Sequence, residues 1–346
     1  MVDEEIDLFL NDFDKNQFKK DVEFLLEKID FVKNQKFEIK KPELGLTNKT
    51  YFLKFEKINK ILILRIDGEN TEFYIDRKFE KIAVDFLSKN NFSAKIYLKF
   101  RNGLICGFIP GKDLKTFEMI EPKMAGKIAK RLAQLHSLKI DQIPEISSRK
   151  PFIVDKMFLY FEKAPKKFTN EKLQKEFENY FVKNGVDLDK NVEELVKMME
   201  KCRPLFAIGH NDLVVGNLLY DESTDMLNFI DYEYVDLNYR QADIGNFFMG
   251  VVEISTNANY DAGYDSEGKR RFLKDYLEEF GTETDDLERE IDVWMSEIPV
   301  FEAASHLLWS FWSLFQAEHS SIDFDYIGYA IHRHQMYLKQ LPTSFQ

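Results

Sequence analysis

The sequence predicts an α+β chain of two lobes, a small antiparallel β-rich lobe followed by a larger, mainly helical one. Three observations predict it. Between Thr50 and Ile109 the chain is dominated by the short β-rich runs TYFLKF, ILILRI, EFYI, KIYLKF and LICGFI. Pro110-Gly111 then interrupts the pattern. Beyond it long stretches of helical period take over, and strands return only briefly as LFAIGH, NLLY and MLNFID. A cleft of the kind ligands favour is expected at the crossover.

Taken in order, Leu8, Phe13, Phe18, Val22, Leu25, Leu26 and Ile29 recur at three- and four-residue spacing among charges, which predicts an amphipathic helix packed along the body within an N-terminal segment, residues 1–37. Residues 38–109 form the β-rich lobe, with one helix, Arg77 to Leu87, between its third and fourth runs. Asn102-Gly103 between the last two runs predicts a hairpin turn, because both residues tolerate positive φ. Residues 110–346 form the second lobe, with helical patterns at MAGKIAKRLAQLHSL, KLQKEFENYF and NVEELVKMME. No fixed-period repeat or low-complexity tract is visible.

Composition excludes several classes. The 346 residues are 44% hydrophobic and include 32 Phe, ample material for a packed core, so wholesale disorder is excluded. A net charge of -12 is opposite in sign to a nucleic-acid footprint, and no nucleic-acid partner is expected. Cys106 and Cys202 are too few for a disulfide framework and lack zinc-site spacing, which predicts free thiols. The acidic start MVDEEIDLFL lacks the basic region of a signal peptide, and no apolar run reaches membrane-spanning length; a cytoplasmic chain without membrane insertion is expected.

The chemistry concentrates in Gly209-His210-Asn211-Asp212-Leu213-Val214-Val215-Gly216-Asn217. A carboxylate and an amide sit five residues apart in a loop between predicted strands, and Asp231 follows at the end of MLNFID. Asn and Asp are common in ordinary turns, so each alone says little. The order, a loop Asp, then an Asn, then a strand-ending Asp after a β-rich lobe, supplies the parts that phosphoryl transfer from ATP requires: an Asp to hold a hydroxyl and an Asn and Asp to hold magnesium. His136 reads as a buried structural histidine, and His332 and His334, two apart on a helix, do not read as a metal pair.

His210 to Asn217, Ile230-Asp231-Tyr232-Glu233-Tyr234, Asn238-Tyr239-Arg240 and Asp243-Ile244-Gly245-Asn246 resemble the signature regions of the choline/ethanolamine kinases, over about Pro42 to Tyr337. The resemblance implies a bilobal protein-kinase-like fold. It implies Asp212 as the base that orients the acceptor hydroxyl, Asn217 and Asp231 as Mg2+ ligands, and His210, Glu233, Asn238, Arg240 and Asp243 as supports behind them. Leu44-Gly45-Leu46-Thr47-Asn48-Lys49 resembles the nucleotide loop, which implies ATP contacts at Gly45, Thr47 and Asn48; the family usually has a glycine pair where Leu44 stands. Arg65 matches the residue on the ATP phosphates and Glu80 its ion-pair partner. Phe108 and Ile109 match the adenine-binding crossover, with Gly107 where a polar residue is common.

Trp309 and Trp312 are three apart and share a helix face, and Tyr326 and Tyr329 repeat that spacing. An apolar core stripe gives the same pattern. The resemblance implies that Trp309, Trp312 and Tyr329 line a cationic-headgroup pocket, where ring faces attract an alkylammonium. Gly250 and Ser255 stand where choline kinases carry a glutamate and a tyrosine, with Glu253, Tyr260 or Tyr264 as substitutes. Stretches such as ENTEFYIDR and IDFDYIGYAI look closer to ethanolamine kinases. The partner implied is a small amino alcohol, ethanolamine or choline, and the assembly implied by relatives is a homodimer. Two alternatives remain at this level: a kinase of another small acceptor, as in the aminoglycoside phosphotransferases, and a non-catalytic headgroup-binding protein. HRD, DFG and APE segments of protein kinases are absent from the sequence.

Overall fold

The computed structural model describes residues 5–41, 48–68, 71–202, 204–320 and 322–341. They fall into two compact units, Met1–Pro110 and Gly111–Gln346. Of the nucleotide-loop residues, Gly45 and Thr47 lie outside the described residues.

In the first unit, strands β1 (Glu38–Lys40), β2 (Lys49–Phe55), β3 (Lys60–Ile66), β4 (Ile96–Phe100) and β5 (Gly103–Gly107) form an antiparallel sheet in the order β1-β2-β3-β5-β4. Alternation along β2 and β3 buries Tyr51, Leu53, Phe55, Leu62, Leu64 and Ile66 on one face. Helix α1 (Lys15–Leu26) covers that face with Phe18, Val22, Leu25 and Leu26. This helix is shorter than its spacing predicts. Asp14 caps it by accepting from Asn16 and Gln17 N–H at 2.8 and 3.1 Å. Upstream, Ile6 bridges to Phe100 and the Asn102 amide holds both backbone groups of Leu10, so the stretch containing Leu8 is extended and Phe13 is exposed.

Two further expectations are corrected. EFYI is not a strand: Thr71 Oγ1 bonds to the Gly68 carbonyl at 2.8 Å, a short 3-10 turn spans Thr71–Phe73, and Asp76 then caps α2 (Arg77–Lys89) through Phe79 N–H at 3.0 Å. The hairpin forms between β4 and β5, but its two-residue loop is Arg101-Asn102, and neither Asn102 nor Gly103 has positive φ. Gly103 is needed for a different reason, since a Cβ there would run into the Arg65 carbonyl and the Phe100 ring.

In the second unit, β6 (Lys112–Asp113), β8 (Leu218–Asp221) and β9 (Met226–Phe229) make one small sheet, and β7 (Phe206–Gly209) pairs antiparallel with β10 (Asp236–Tyr239). The short strands β1, β6 and β10 carry no apolar run that marks them in the sequence. The helices are α3 (Thr116–Met119), α4 (Pro122–His136), α5 (Phe152–Lys163), α6 (Glu171–Phe177), α7 (Leu188–Lys201), α8 (Arg240–Gly250), α9 (Ser266–Phe280), α10 (Leu287–His319) and α11 (Tyr326–Gln340). The 33-residue α10 is the spine: from Val300 to Leu308 every residue is buried, Glu302, Ser305 and His306 included, so the helix is enclosed all round rather than along one stripe. It packs against α5, α8 and α11. Among the described residues no helix is long and apolar enough to cross a membrane, and both cysteines are free.

Candidate active site

The loop after β7 is pinned from beneath by one carboxylate. Asp243, fully buried in the first turn of α8, accepts from the backbone N–H of His210 at 2.8 Å and of Asn211 at 2.7 Å, and from His136 Nε2 at 3.0 Å. Tyr276 Oη lies 2.7 Å from His136 Nδ1, which is consistent with a neutral ring that donates to Asp243 and accepts from the phenol. Burial lowers His136 below its ordinary value, and burial would raise Asp243, but the His136 hydrogen bond and its neighbours outweigh that and hold the carboxyl low. Burial also pushes His210 down to about 4; its Nε2 bonds to the Ile230 carbonyl at 2.9 Å. His136 is thus the structural histidine expected.

This frame forces the loop into an uncommon conformation. Asn211 has φ +67° and Asp231 φ +60°, in the left-handed region that few non-glycine residues enter and that Asn and Asp tolerate best. Asn211 is held there by donating to the Tyr234 carbonyl at 2.9 Å and accepting from Asn238 Nδ2 at 2.7 Å. Asp212, partly buried, follows directly. Asn217 Nδ2 donates to the Asp212 carbonyl at 2.8 Å and to its carboxylate at 3.2 Å, which leaves Asn217 Oδ1 as an oxygen donor for another group. Burial, then the charges of Asp231 and Glu233, raise the Asp212 carboxyl well above the usual carboxylate range, opposed by the Asn217 amide. The charges of Asp231 and Glu233 thus act on Asp212 beside the Asn217 amide, and a cation held there would oppose that shift. Among the described residues no group of three acidic, histidine or cysteine side chains is placed to hold a metal ion.

The aromatic residues of α10 and α11 join the same frame. Trp309 Nε1 donates to Asn246 Oδ1 at 2.8 Å, and Asn246 Nδ2 donates to the Asn211 carbonyl at 3.0 Å. The Trp309 ring stands edge-on to Tyr234 and to Trp312, both at 5.6 Å. Trp312 meets Tyr326 at 5.9 Å, and Tyr329 connects to them through Phe324. Trp312 Nε1, although buried, has no hydrogen-bond partner among the described residues. Both indoles are half-buried.

In the first unit Arg65 Nη2 pairs with Glu80, which is 2% exposed, and Arg77 Nη1 donates to the other Glu80 oxygen at 2.8 Å. Arg77 also reaches Asn48 Oδ1 at 2.9 Å, joining the three residues. Phe108, just past β5 and beside Ile109, is exposed and edge-on to Phe52 at 6.0 Å.

The structure therefore brings together Asp212 with Asn217, Trp309 with Trp312, Arg65 with Glu80 and Asn48, and His210 with Asp243. Arg240 lies behind the frame, its guanidinium stacked on Phe280 and Trp294 at 4.0 and 5.1 Å. Gly250 is explained by space. A Cβ there would collide with the Leu213 carbonyl, so the α8 end touches the loop where a larger side chain cannot fit. Tyr264 is in the core, its Oη bonded to the Met119 carbonyl at 2.7 Å. Arg77, Tyr234, Asn246, Ser305 and Arg333 also join these networks, beyond the residues expected from the sequence. The spacings Ser305–Trp309 and Tyr329–Arg333, each one helical turn, were the available signal.

A family model described as choline/ethanolamine kinase matches residues 39–338. The chain is 33% identical to the ethanolamine kinase of Drosophila melanogaster over 283 residues, 80% of this chain and 54% of that protein. It is 33% identical to a probable ethanolamine kinase of Arabidopsis thaliana over 317 residues, 89% of this chain and 81% of that one. The match thus spans about half the length of the Drosophila relative. Among solved structures, a Plasmodium vivax ethanolamine kinase is similar with a TM-score of 0.81 and 25% identity, covering 95% of this chain and 91% of that chain.

Proposed function

The chain belongs to the choline/ethanolamine kinase family, and from that premise we propose that it transfers the γ-phosphoryl group of ATP to the hydroxyl of a small amino alcohol, with ethanolamine the preferred acceptor. The fold is the protein-kinase-like one of that family. The observation that carries the reading is the shared frame of Asn246: one side chain bonds both the Asn211 carbonyl beside Asp212 and the indole of Trp309. A hydroxyl-orienting carboxylate and an aromatic surface for an ammonium are thereby held in one rigid unit.

In this reading Asp212 accepts the acceptor's hydroxyl hydrogen bond and directs the oxygen, and takes its proton as the O–P bond forms. Such transfer passes through a loose transition state, so alignment and charge compensation matter more than a strong base. Asn217 and Asp231 would hold Mg2+, which supplies charge neutralisation at the phosphates. Arg65, oriented by Glu80, contacts the phosphates, with Asn48 at the foot of the nucleotide loop and Phe108 and Ile109 against the adenine. Trp309 and Trp312 face the ammonium, with Tyr329 behind them, and Glu233 and Asn238 brace the loop. The preference for ethanolamine rests on the relatives' names and on the closed space at Gly250. A cytoplasmic location and a homodimer of twice the 41.0 kDa chain mass complete the reading.

The test is ADP release from Mg-ATP with ethanolamine, its mono- and dimethyl derivatives and choline. Efficiency that falls with methylation supports the reading; release independent of any amine contradicts it. Trp312→Ala is expected to raise the acceptor KM about tenfold, the scale of one cation–π contact, with little change for ATP. Equal effects on both KM values, measured by steady-state kinetics, would assign Trp312 to folding instead.

A further inference from the structure

Arg333, in the middle of α11, is 3% exposed. Its guanidinium serves three hydroxyls: Nη1 donates to Tyr260 Oη at 3.1 Å and Tyr329 Oη at 3.3 Å, and Nη2 donates to Ser305 Oγ at 3.0 Å. These partners are neutral, and a guanidinium buried against neutral hydroxyls is a poor source of stability. What it does supply is geometry, because a planar fork fixes the directions of several acceptors at once.

The fork continues into the site. Ser305 Oγ donates to Asn246 Oδ1 at 2.8 Å, the same oxygen that accepts from Trp309 Nε1, and Asn246 Nδ2 reaches the Asn211 carbonyl. One hydrogen-bonded path therefore runs from two tyrosines through Arg333, Ser305 and Asn246 to the Trp309 indole and to the residue preceding Asp212. Tyr260 stands on a loop whose placing is secured by α11: His332 Nε2 lies 3.0 Å from the Ala258 carbonyl, and the Tyr260 ring stacks on His332 at 5.7 Å and meets His306 edge-on at 4.7 Å. Unlike Tyr264, Tyr260 is only partly buried.

We propose that Arg333 is a positioning residue for acceptor selectivity: it ties the partly buried Tyr260 to the buried Tyr329 and registers Tyr260 against Trp309 and the Asp212 loop. The inference rests on the amino-alcohol kinase reading above. An ammonium is attracted to a ring only within about 6 Å of its centroid, so a tilt of the partly buried Tyr260, or of the Trp309 ring registered by the same path, changes how many methyl groups the site accepts. Lysine at this position keeps the charge but presents one rotating ammonium and cannot maintain the fork.

The experiment compares Arg333→Lys and Tyr260→Phe with the wild-type chain in steady-state kinetics for ATP, ethanolamine and choline, with thermal melts alongside. Arg333→Lys is expected to raise the acceptor KM about tenfold while that of ATP stays within about twofold, and to change the ethanolamine-to-choline ratio of kcat/KM. Tyr260→Phe, which keeps the ring and loses the hydroxyl that Arg333 holds, moves both quantities the same way by less. Altered melting with unchanged acceptor KM and ratio would overturn the inference and make Arg333 structural. If Arg333→Lys does not fold, Tyr260→Phe and Ser305→Ala decide, and unchanged acceptor KM in both overturns it. A wild-type chain inactive on both amines overturns the kinase reading itself, whereas an active wild type with unresponsive variants overturns only the role of Arg333.

Discussion

Asp212→Asn lowers turnover by at least about 10²-fold, the scale for a positioned acid–base group, while ATP still binds. The substitution keeps the size of the side chain, and an amide still meets Asn217 Nδ2 through its oxygen, so the loop retains the bond now 3.2 Å long. What it loses is the negative charge that orients the acceptor hydroxyl and receives its proton. The nucleotide contacts proposed at Gly45, Thr47, Asn48, Arg65, Phe108 and Ile109 are left unchanged by the substitution, so calorimetric titration with ATP is expected to give a Kd close to wild type. Turnover near the wild-type rate would remove Asp212 from the chemistry. Equal loss of turnover and of ATP binding would point to a damaged fold.

Asp243→Ala is expected to have the largest effect on stability. The carboxylate receives two backbone N–H groups and a histidine, all buried. Alanine leaves these donors without an acceptor, and unsatisfied buried donors cost about 1–3 kcal/mol each, so a total near 3 kcal/mol is a low estimate. For a unit of this size that lowers the melting temperature by about 6–12 °C. Activity falls as well, because His210 and Asn211 hold Asp212 in place. Asp243→Asn, which keeps one acceptor oxygen, falls between the two. Differential scanning fluorimetry checks the order; an Asp243→Ala variant that melts with the wild type contradicts the pinning role.

The contrast between these residues and Arg333 shows what the sequence makes legible. Asp212, Asn217 and Asp231 stand within twenty residues in an order that suits phosphoryl transfer, whereas Asp243 is marked only by the family resemblance. The spacing of Trp309 and Trp312 sets a common helix face, which a core stripe would share, and only the resemblance marks them for an acceptor pocket. Arg333 and Tyr260 are 73 apart and meet only when the loop before α9 lies on α11. A lone arginine on a helix gives no sign of such a partner. Gly250 looks like a lost wall in the sequence, and its meaning appears only when the Leu213 carbonyl is seen to fill the space a side chain would need. EFYI is β-rich in composition, but the Thr71 hydroxyl's bond to the Gly68 carbonyl and the Asp76 cap turn it into the approach to α2. In that case two local side-chain bonds outweigh composition.

The most direct test of the central claim is to follow the reaction itself by phosphorus NMR, with the chain, Mg-ATP and ethanolamine in one tube and Asp212→Asn as the blank. The account predicts stoichiometric phosphoethanolamine and ADP with the wild-type chain and almost none with the variant. ATP that remains intact, or ADP accompanied only by free phosphate, with ethanolamine and with choline alike, would contradict it.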